Sequence, residues 1–140
     1  MTNRRLAYIV KDQSPSVLTL ADTVQNACRC MCERKIGSVL VTDEHQHLRG
    51  IFTGRDAVRA LADGCDSSKT PLSHAMTPNP VTIGPNSRAI DALRAMNDGG
   101  FRHVPVLDEA RIWGVVSRGD FSGVEIERLD EEIHLAEVIW

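Results

Sequence analysis

Two short segments set a hydroxyl and a carboxylate at the same spacing. Gly50-Ile51-Phe52-Thr53-Gly54-Arg55-Asp56 and Gly114-Val115-Val116-Ser117-Arg118-Gly119-Asp120 both read glycine, two apolar residues, a hydroxyl residue, two variable residues and aspartate. Two chemistries suit that order. One is helix capping: the hydroxyl accepts from a free N–H of the first turn, and the acid three residues on reaches back. The other is ligand binding at the same place. A helix N-terminus offers unpaired N–H groups and partial positive charge to a phosphate, and an aspartate accepts from hydroxyl donors. Arg118 directly follows Ser117 and is positioned for phosphate in a way Gly54 cannot be. The first segment instead offers Arg55.

A second constellation is Cys28-Arg29-Cys30-Met31-Cys32, three of the four cysteines, the fourth being Cys65. Structural zinc sites pair cysteines as C-x₂₋₄-C with a second pair elsewhere, and the second pair is missing here. His45-Gln46-His47 is the candidate supplement. The strand between them, five residues at ~3.3 Å each, puts about 17 Å between Cys32 and that turn. Cys30 is nearer by only about 3 Å, so no shared metal site is expected. Arg29, Arg34 and Lys35 keep an oxidation-sensitive Cys30 or Cys32 in view. The histidines at 45, 47, 74, 103 and 134 form no triad, and no nucleophile–base pair, acid pair or phosphate-binding glycine loop emerges. The expectation is a binding protein without catalytic residues or a metal.

The elements that position these residues are themselves duplicated. The two hydroxyl–aspartate segments lie 64 residues apart, and upstream the shift is 65: Ala27 matches Ala92, Met31 matches Met96 and Val41 matches Val106. The one-residue difference falls in the turns 43–49 and 108–113. Each unit opens with a short apolar piece (17–20; 81–83). A helix follows, with Val24, Ala27, Cys28 and Met31 on one face in the first unit. In the second, Ala89, Ala92, Leu93 and Met96 follow the start signal Pro85-Asn86-Ser87. Cys28 thus falls on the core face, Cys30 points away and Cys32 lies one turn on. Strand pairs 38–42 with 49–53 and 103–107 with 112–117 come next. A second helix is expected after Thr53, with Val58, Leu61 and Ala62 as its apolar face, and another after Ser117. The unit is β-α-β-β-α. The chain divides into a segment 1–13, repeat 1 at 14–63, a polar linker 64–78, repeat 2 at 79–125 and a helix 126–140. A half of roughly 60 residues is marginal alone, so an α+β fold is expected in which two α/β repeats form one pseudo-twofold module. In the tail, Ile126, Leu129, Ile133 and Ala136 share a face. Two readings stand: a helix closing over its own module, or one packed on a second subunit with Ile139 and Trp140 as anchor.

The 140 residues carry a net charge of −3, with 42% hydrophobic and 25% charged residues. That gives no global positive field for nucleic acid or anionic lipid. No apolar run approaches the roughly 18 residues of a membrane helix, and MTNRRLAYIV has no long apolar core or small-residue cleavage site. A cytoplasmic setting with reduced thiols is expected.

The doubled motif resembles a tandem pair of cystathionine β-synthase (CBS) domains. The resemblance is carried by the two Gly-x-x-[Thr/Ser]-x-x-Asp segments, by Met76-Thr77-Pro78-Asn79-Pro80-Val81-Thr82-Ile83, by Phe101-Arg102-His103-Val104-Pro105-Val106 and by Lys35-Ile36-Gly37-Ser38-Val39-Leu40-Val41. It implies a disc-like module, often a homodimer, that binds adenosine-containing ligands (AMP, ADP, ATP, S-adenosylmethionine or NAD) in clefts between the repeats. Regulation of an unidentified partner protein in trans is implied, with no required cofactor. Carried over, Asp56 and Asp120 would hold ribose, and Thr53 and Ser117 would sit near ribose or phosphate. The base would lie near Ile36-Gly37-Ser38 and near Arg102-His103-Val104-Pro105, with Thr19 and Thr82 close by. His103 and Arg102 read equally as a half-buried strand residue and a surface charge. Pro105 inside a strand signals an edge or a break in pairing, with backbone groups left free for a ligand. Two alternatives remain. One is an interaction module with vestigial pockets, repeat 1 first because it lacks a counterpart of Arg118. The other is a thiol redox or metal sensor on Cys28, Cys30 and Cys32.

Overall fold

The computed structural model describes residues 3–139. In chain order the elements are α1 (Leu6–Ile9), β1 (Val17–Thr19), α2 (Val24–Arg34), β2 (Ser38–Thr42), β3 (Leu48–Thr53), α3 (Gly54–Ala62), α4 (Leu72–Ala75) and β4 (Thr77–Pro78). They continue with α5 (Ala89–Gly99), β5 (His103–Asp108), β6 (Arg111–Ser117), a 3₁₀ turn (Arg118–Asp120) and α6 (Gly123–Ile139). They fall into two compact units, one of Ser14–Pro80 and one of Met1–Gln13 together with Val81–Trp140.

In the first unit the sheet order is β1-β2-β3-β4, with β1 parallel to β2 and the other pairs antiparallel. β2 is Val/Leu-rich and buried along its whole length, as a strand covered on both faces must be. The α2 helix begins where Thr23 Oγ1 accepts from the Asn26 N–H at 3.1 Å. It turns Val24, Ala27 and Met31 onto the core with Val39, Val41, Phe52 and Leu72. It stops at Lys35, whose φ of 55° reverses the chain, while Ile36 N–H closes on the Met31 carbonyl at 3.0 Å. Its counterpart α5 stops the same way at Gly100, φ 70°, with Phe101 N–H on the Met96 carbonyl. The repeat therefore extends to helix termination.

The second unit is built on the β5–β6 hairpin, with Ile83 bridging alongside Val106. Ala89, Ile90, Ala92, Leu93 and Met96 of α5 pack on Val104, Val106 and Val116. α5 starts one residue later than the Pro-Asn-Ser signal implies, because Asp91 accepts from the Arg88 N–H at 2.9 Å and makes Arg88 the cap. Residues 3–13 pack into the second unit. Leu6 and Val10 are 0% and 2% exposed within this core, Arg5 bridges Arg88, and Ala89 N–H donates to the Arg4 carbonyl at 2.7 Å.

Two expected helical features differ. On α3, Val58 and Leu61 are 67% and 78% exposed, and Ala62 is exposed as well. The inward face carries Asp56 and Ala60 instead, because the hydrogen bonds of Asp56 fix the helix rotation. After Ser117 there is one 3₁₀ turn and not a helix. α6 begins at Gly123, behind a second capping pair in which Ser122 N–H donates to Glu125 at 2.8 Å and Glu125 N–H returns to Ser122 Oγ. Leu129 is buried, Ile126 and Ile133 pack on the same core, and Ala136 is exposed. The helix thus closes over its own unit through residue 133. Trp140 and the side chain of Ile139 lie outside the described residues.

Candidate ligand-binding site

Both hydroxyl–aspartate motifs form the same local loop. In the first, Asp56 Oδ2 accepts from Thr53 N–H (2.9 Å) and Thr53 Oγ1 (3.1 Å), and Asp56 N–H donates to Thr53 Oγ1 at 3.3 Å. In the second, Asp120 Oδ2 accepts from Ser117 N–H (2.7 Å) and Ser117 Oγ (3.2 Å). The capping reading therefore describes both. The motifs part at the other carboxylate oxygen. Asp56 Oδ1 accepts from Thr77 Oγ1 at 2.9 Å and from Arg59 Nη1 at 3.0 Å, and the residue is 2% exposed. Asp120 is half-buried, and no hydrogen bond among the described residues ends on its Oδ1.

Part of the cause lies in what runs beside each repeated glycine. A Cβ on Gly50 would meet Met76 and stand 2.9 Å from the Thr77 carbonyl. One on Gly114 would stand 2.6 Å from Gln13 Oε1 and 2.8 Å from Val10 Cβ. Glycine is needed at both because another stretch of chain runs close beside the strand there. At β3 it is the antiparallel neighbour β4, with Thr77 registered with Ile51. At β6 it is Gln13, whose side chain donates to the Val115 carbonyl and accepts from the Val115 N–H, each at 2.9 Å. Thr77 has a hydroxyl to spare for Asp56. Gln13 spends both ends of its amide on the strand backbone and leaves Asp120 open.

Around Asp120 the second unit gathers the other candidates. His103 lies opposite Ser117 in the β5–β6 register. Arg118 N–H donates to the Arg102 carbonyl at 3.0 Å. Burial pushes the His103 imidazole below its ordinary value, the charge of Arg102 adds to this, and Asp120 opposes it. His103 is thus neutral at pH 7, offering one N–H donor and one acceptor. Arg102 is exposed and Arg118 half-buried. Thr82 is exposed, one residue before the Ile83 bridge. Pro105 causes no break in the β5–β6 ladder: it is buried and registered with Val115, and it faces the strand's other edge, where its carbonyl accepts from Ile83 N–H at 3.1 Å in an isolated bridge.

In the first unit Ser38 lies opposite Thr53, and the Gly37 carbonyl accepts from Gly54 N–H at 3.3 Å. Ile36, Gly37 and Ser38 are thereby beside the motif. Thr19 is not: it pairs with Thr42, four residues along β2 from Ser38, or about 13 Å. Its hydroxyl and N–H both go to Asp22. Arg55 is the second residue of α3 and is exposed.

The CBS domain profile matches residues 8–63 and 72–126. The chain belongs to the CBS domain family. Among curated relatives, CBS domain-containing protein CBSCBSPB2 of Arabidopsis thaliana is 42% identical over 91 residues, 64% of this chain and 17% of that protein. The chain spans less than a quarter of the length of the first relatives it matches. A CBS domain protein of Pyrobaculum aerophilum, solved complexed with AMP, superposes with a TM-score of 0.82 at 20% identity, covering 91% of this chain and 99% of that one. The CBS domain pair of protein MJ0100, in complex with 5′-methylthioadenosine and S-adenosyl-L-methionine, gives 0.76 at 25% identity, covering 90% and 98%.

Two structural features of this chain escaped the sequence reading. The Ser122–Glu125 cap was visible as Ser-x-x-Glu. The role of Gln13 was not, since its partner lies 102 residues away. Cys28, Cys30 and Cys32 lie on α2, where Cys28 packs on the core as the repeat implies and Cys32 is exposed; Cys30, expected to point away, is half-buried against the same core. Burial raises the Cys28 thiol, and the neighbouring thiols Cys32 and Cys65 add to it, which suppresses thiolate reactivity. Among the described residues no three His, Cys, Asp or Glu side chains are arranged to hold a metal. No described helix is long and apolar enough to cross a membrane.

Proposed function

We propose that the chain is a regulatory module that senses an adenosine-containing ligand, and that the working motif is the one in repeat 2. The observation that carries this reading is the difference at the aspartates. Asp120 keeps one oxygen unengaged beside neutral His103 and the cations Arg102 and Arg118, whereas Asp56 is buried and saturated. A ribose needs an acceptor for its hydroxyls, a base edge needs a donor and an acceptor, and a phosphate or sulfonium-bearing tail distinguishes ligands by charge. The 3₁₀ turn supplies no helix dipole of consequence, so a phosphate would depend on Arg118 and Arg102 and less on backbone N–H groups. The adenosine compounds bound by the similar MJ0100 pair support the ligand class.

The reading extends to action in trans on a partner protein, to a homodimer and to a cytoplasmic setting. Val58 and Leu61 on α3 are the exposed apolar residues that suit a second copy. The test is thermal unfolding against AMP, ADP, ATP, S-adenosylmethionine and NAD. A ligand at 100 times its dissociation constant stabilises the fold by about 2.7 kcal/mol, several degrees in midpoint. No shift with any of the five would turn the reading to an interaction module with unused pockets.

A further inference from the structure

The 3₁₀ turn that carries Asp120 is three residues long and runs into no helix: Phe121 is extended and α6 starts only at Gly123. Such a turn has little stability of its own. Its partner motif needs no help, because Asp56 is continued by a nine-residue helix. What fixes the Asp120 turn comes from the other end of the chain. Arg4 Nη2 donates to the Asp120 carbonyl at 2.8 Å, and the same guanidinium holds Glu125 with both arms, Nη2 to Oε1 at 2.8 Å and Nε to Oε2 at 3.2 Å. Glu125 is 1% exposed and also takes the Ser122 N–H. Arg4 thus ties together the ligand motif, the cap of α6 and the segment 3–13. That segment is docked by Leu6 and Val10 in the core, by Leu6 N–H on the Ser87 carbonyl at 2.9 Å and by Gln13 beside β6.

We propose that Arg4 is a positioning residue for the Asp120 ligand motif, and that docking of residues 3–13 and ligand binding in repeat 2 are coupled. The inference rests on the reading of Asp120 as a ligand group. A ligand that uses the open Asp120 oxygen binds the docked form better, because only there is the turn that carries the carboxylate tied by its Asp120 carbonyl to Arg4. Linkage then requires the ligand to hold the segment down by the same factor. The N-terminal segment becomes the element through which occupancy of repeat 2 is reported to whatever contacts it.

The test uses Arg4→Lys in the full chain. Lysine keeps a cation beside Glu125, but one ammonium cannot span both Glu125 oxygens and the Asp120 carbonyl. Titration with AMP and S-adenosylmethionine is expected to show about a ten-fold loss of affinity in the folded protein, inside the usual range of coupling, and the unfolding midpoint falls as well because one oxygen of buried Glu125 loses its partner. Amide exchange over residues 117–122 should quicken in the variant. In the wild type, saturating ligand should slow exchange over residues 6–10 by a similar factor, a readout that requires no substitution. Unchanged affinity in Arg4→Lys, unchanged exchange at 117–122, or no ligand effect on residues 6–10 would each overturn the coupling while leaving Asp120→Ala as an independent check. If the wild type binds neither compound, or Asp120→Ala binds as tightly as the wild type, it is the ligand reading of Asp120 that fails, and the coupling fails with it.

Discussion

Repeat 1 and repeat 2 carry one motif in two states. Thr53–Asp56 is shut: a threonine from the neighbouring strand and an arginine from its own helix occupy the remaining oxygen of a buried carboxylate. Ser117–Asp120 is open at the corresponding atom. The motif residues are nearly the same, so the difference comes from around them: the neighbouring residue, Thr77 beside β3 and Gln13 beside β6, and Arg59 on α3, for which the 3₁₀ turn after Ser117 has no counterpart. A duplicated loop is thus closed by its surroundings in one copy and left open in the other, and the choice is made outside the motif.

The largest effect expected from breaking this comparison lies in repeat 2. Burial alone would raise the Glu125 carboxyl, but the bonds from Arg4 and Ser122 overcome it and hold the group at about 2, against an ordinary value of 4.5. Its folded value is depressed. The stability it contributes is therefore complete above about pH 4.5 and is lost as pH falls toward 2. The shift corresponds to about 3 kcal/mol. Glu125→Gln should lose about that much at neutral pH and flatten this acid limb, read by urea unfolding across the range. Next, Asp56→Ala strands four donors, from Thr53 N–H, Thr53 Oγ1, Thr77 Oγ1 and Arg59, and should cost about 2–3 kcal/mol of stability, measured by the same unfolding, with ligand affinity retained by the folded fraction. Thr77→Val removes one hydrogen bond to Asp56 and should cost about 1 kcal/mol. Smallest for the fold is Val58→Asp with Leu61→Asp, within about 0.5 kcal/mol each as surface changes. By light scattering, the pair should convert a homodimer to a monomer. A wild-type monomer would remove that part of the reading.

Much of this was legible in the chain because it is local. Thr-x-x-Asp, Ser-x-x-Asp and the spacing of Ala89, Ala92, Leu93 and Met96 each encode an element within one or two turns, and duplication confirms the register. Three things were not legible. The outward rotation of α3 is set by the hydrogen bonds of Asp56, not by the apolar period of Val58 and Leu61. The early stop after Ser117 reflects the extended backbone at Phe121 ahead of the Ser122 cap. The assignment of residues 1–13 to repeat 2 rests on contacts such as Arg4 to Glu125, 121 residues apart, which no local pattern reports.

The central claim is that the repeat 2 aspartate binds the ligand and the repeat 1 aspartate does not. Calorimetric titration of AMP and S-adenosylmethionine into wild type, Asp120→Ala and Thr77→Val tests it most directly. The account predicts about a 100-fold loss or more in Asp120→Ala, since two charge-assisted hydrogen bonds to ribose are removed, and wild-type affinity in Thr77→Val. Wild-type affinity in Asp120→Ala would contradict it.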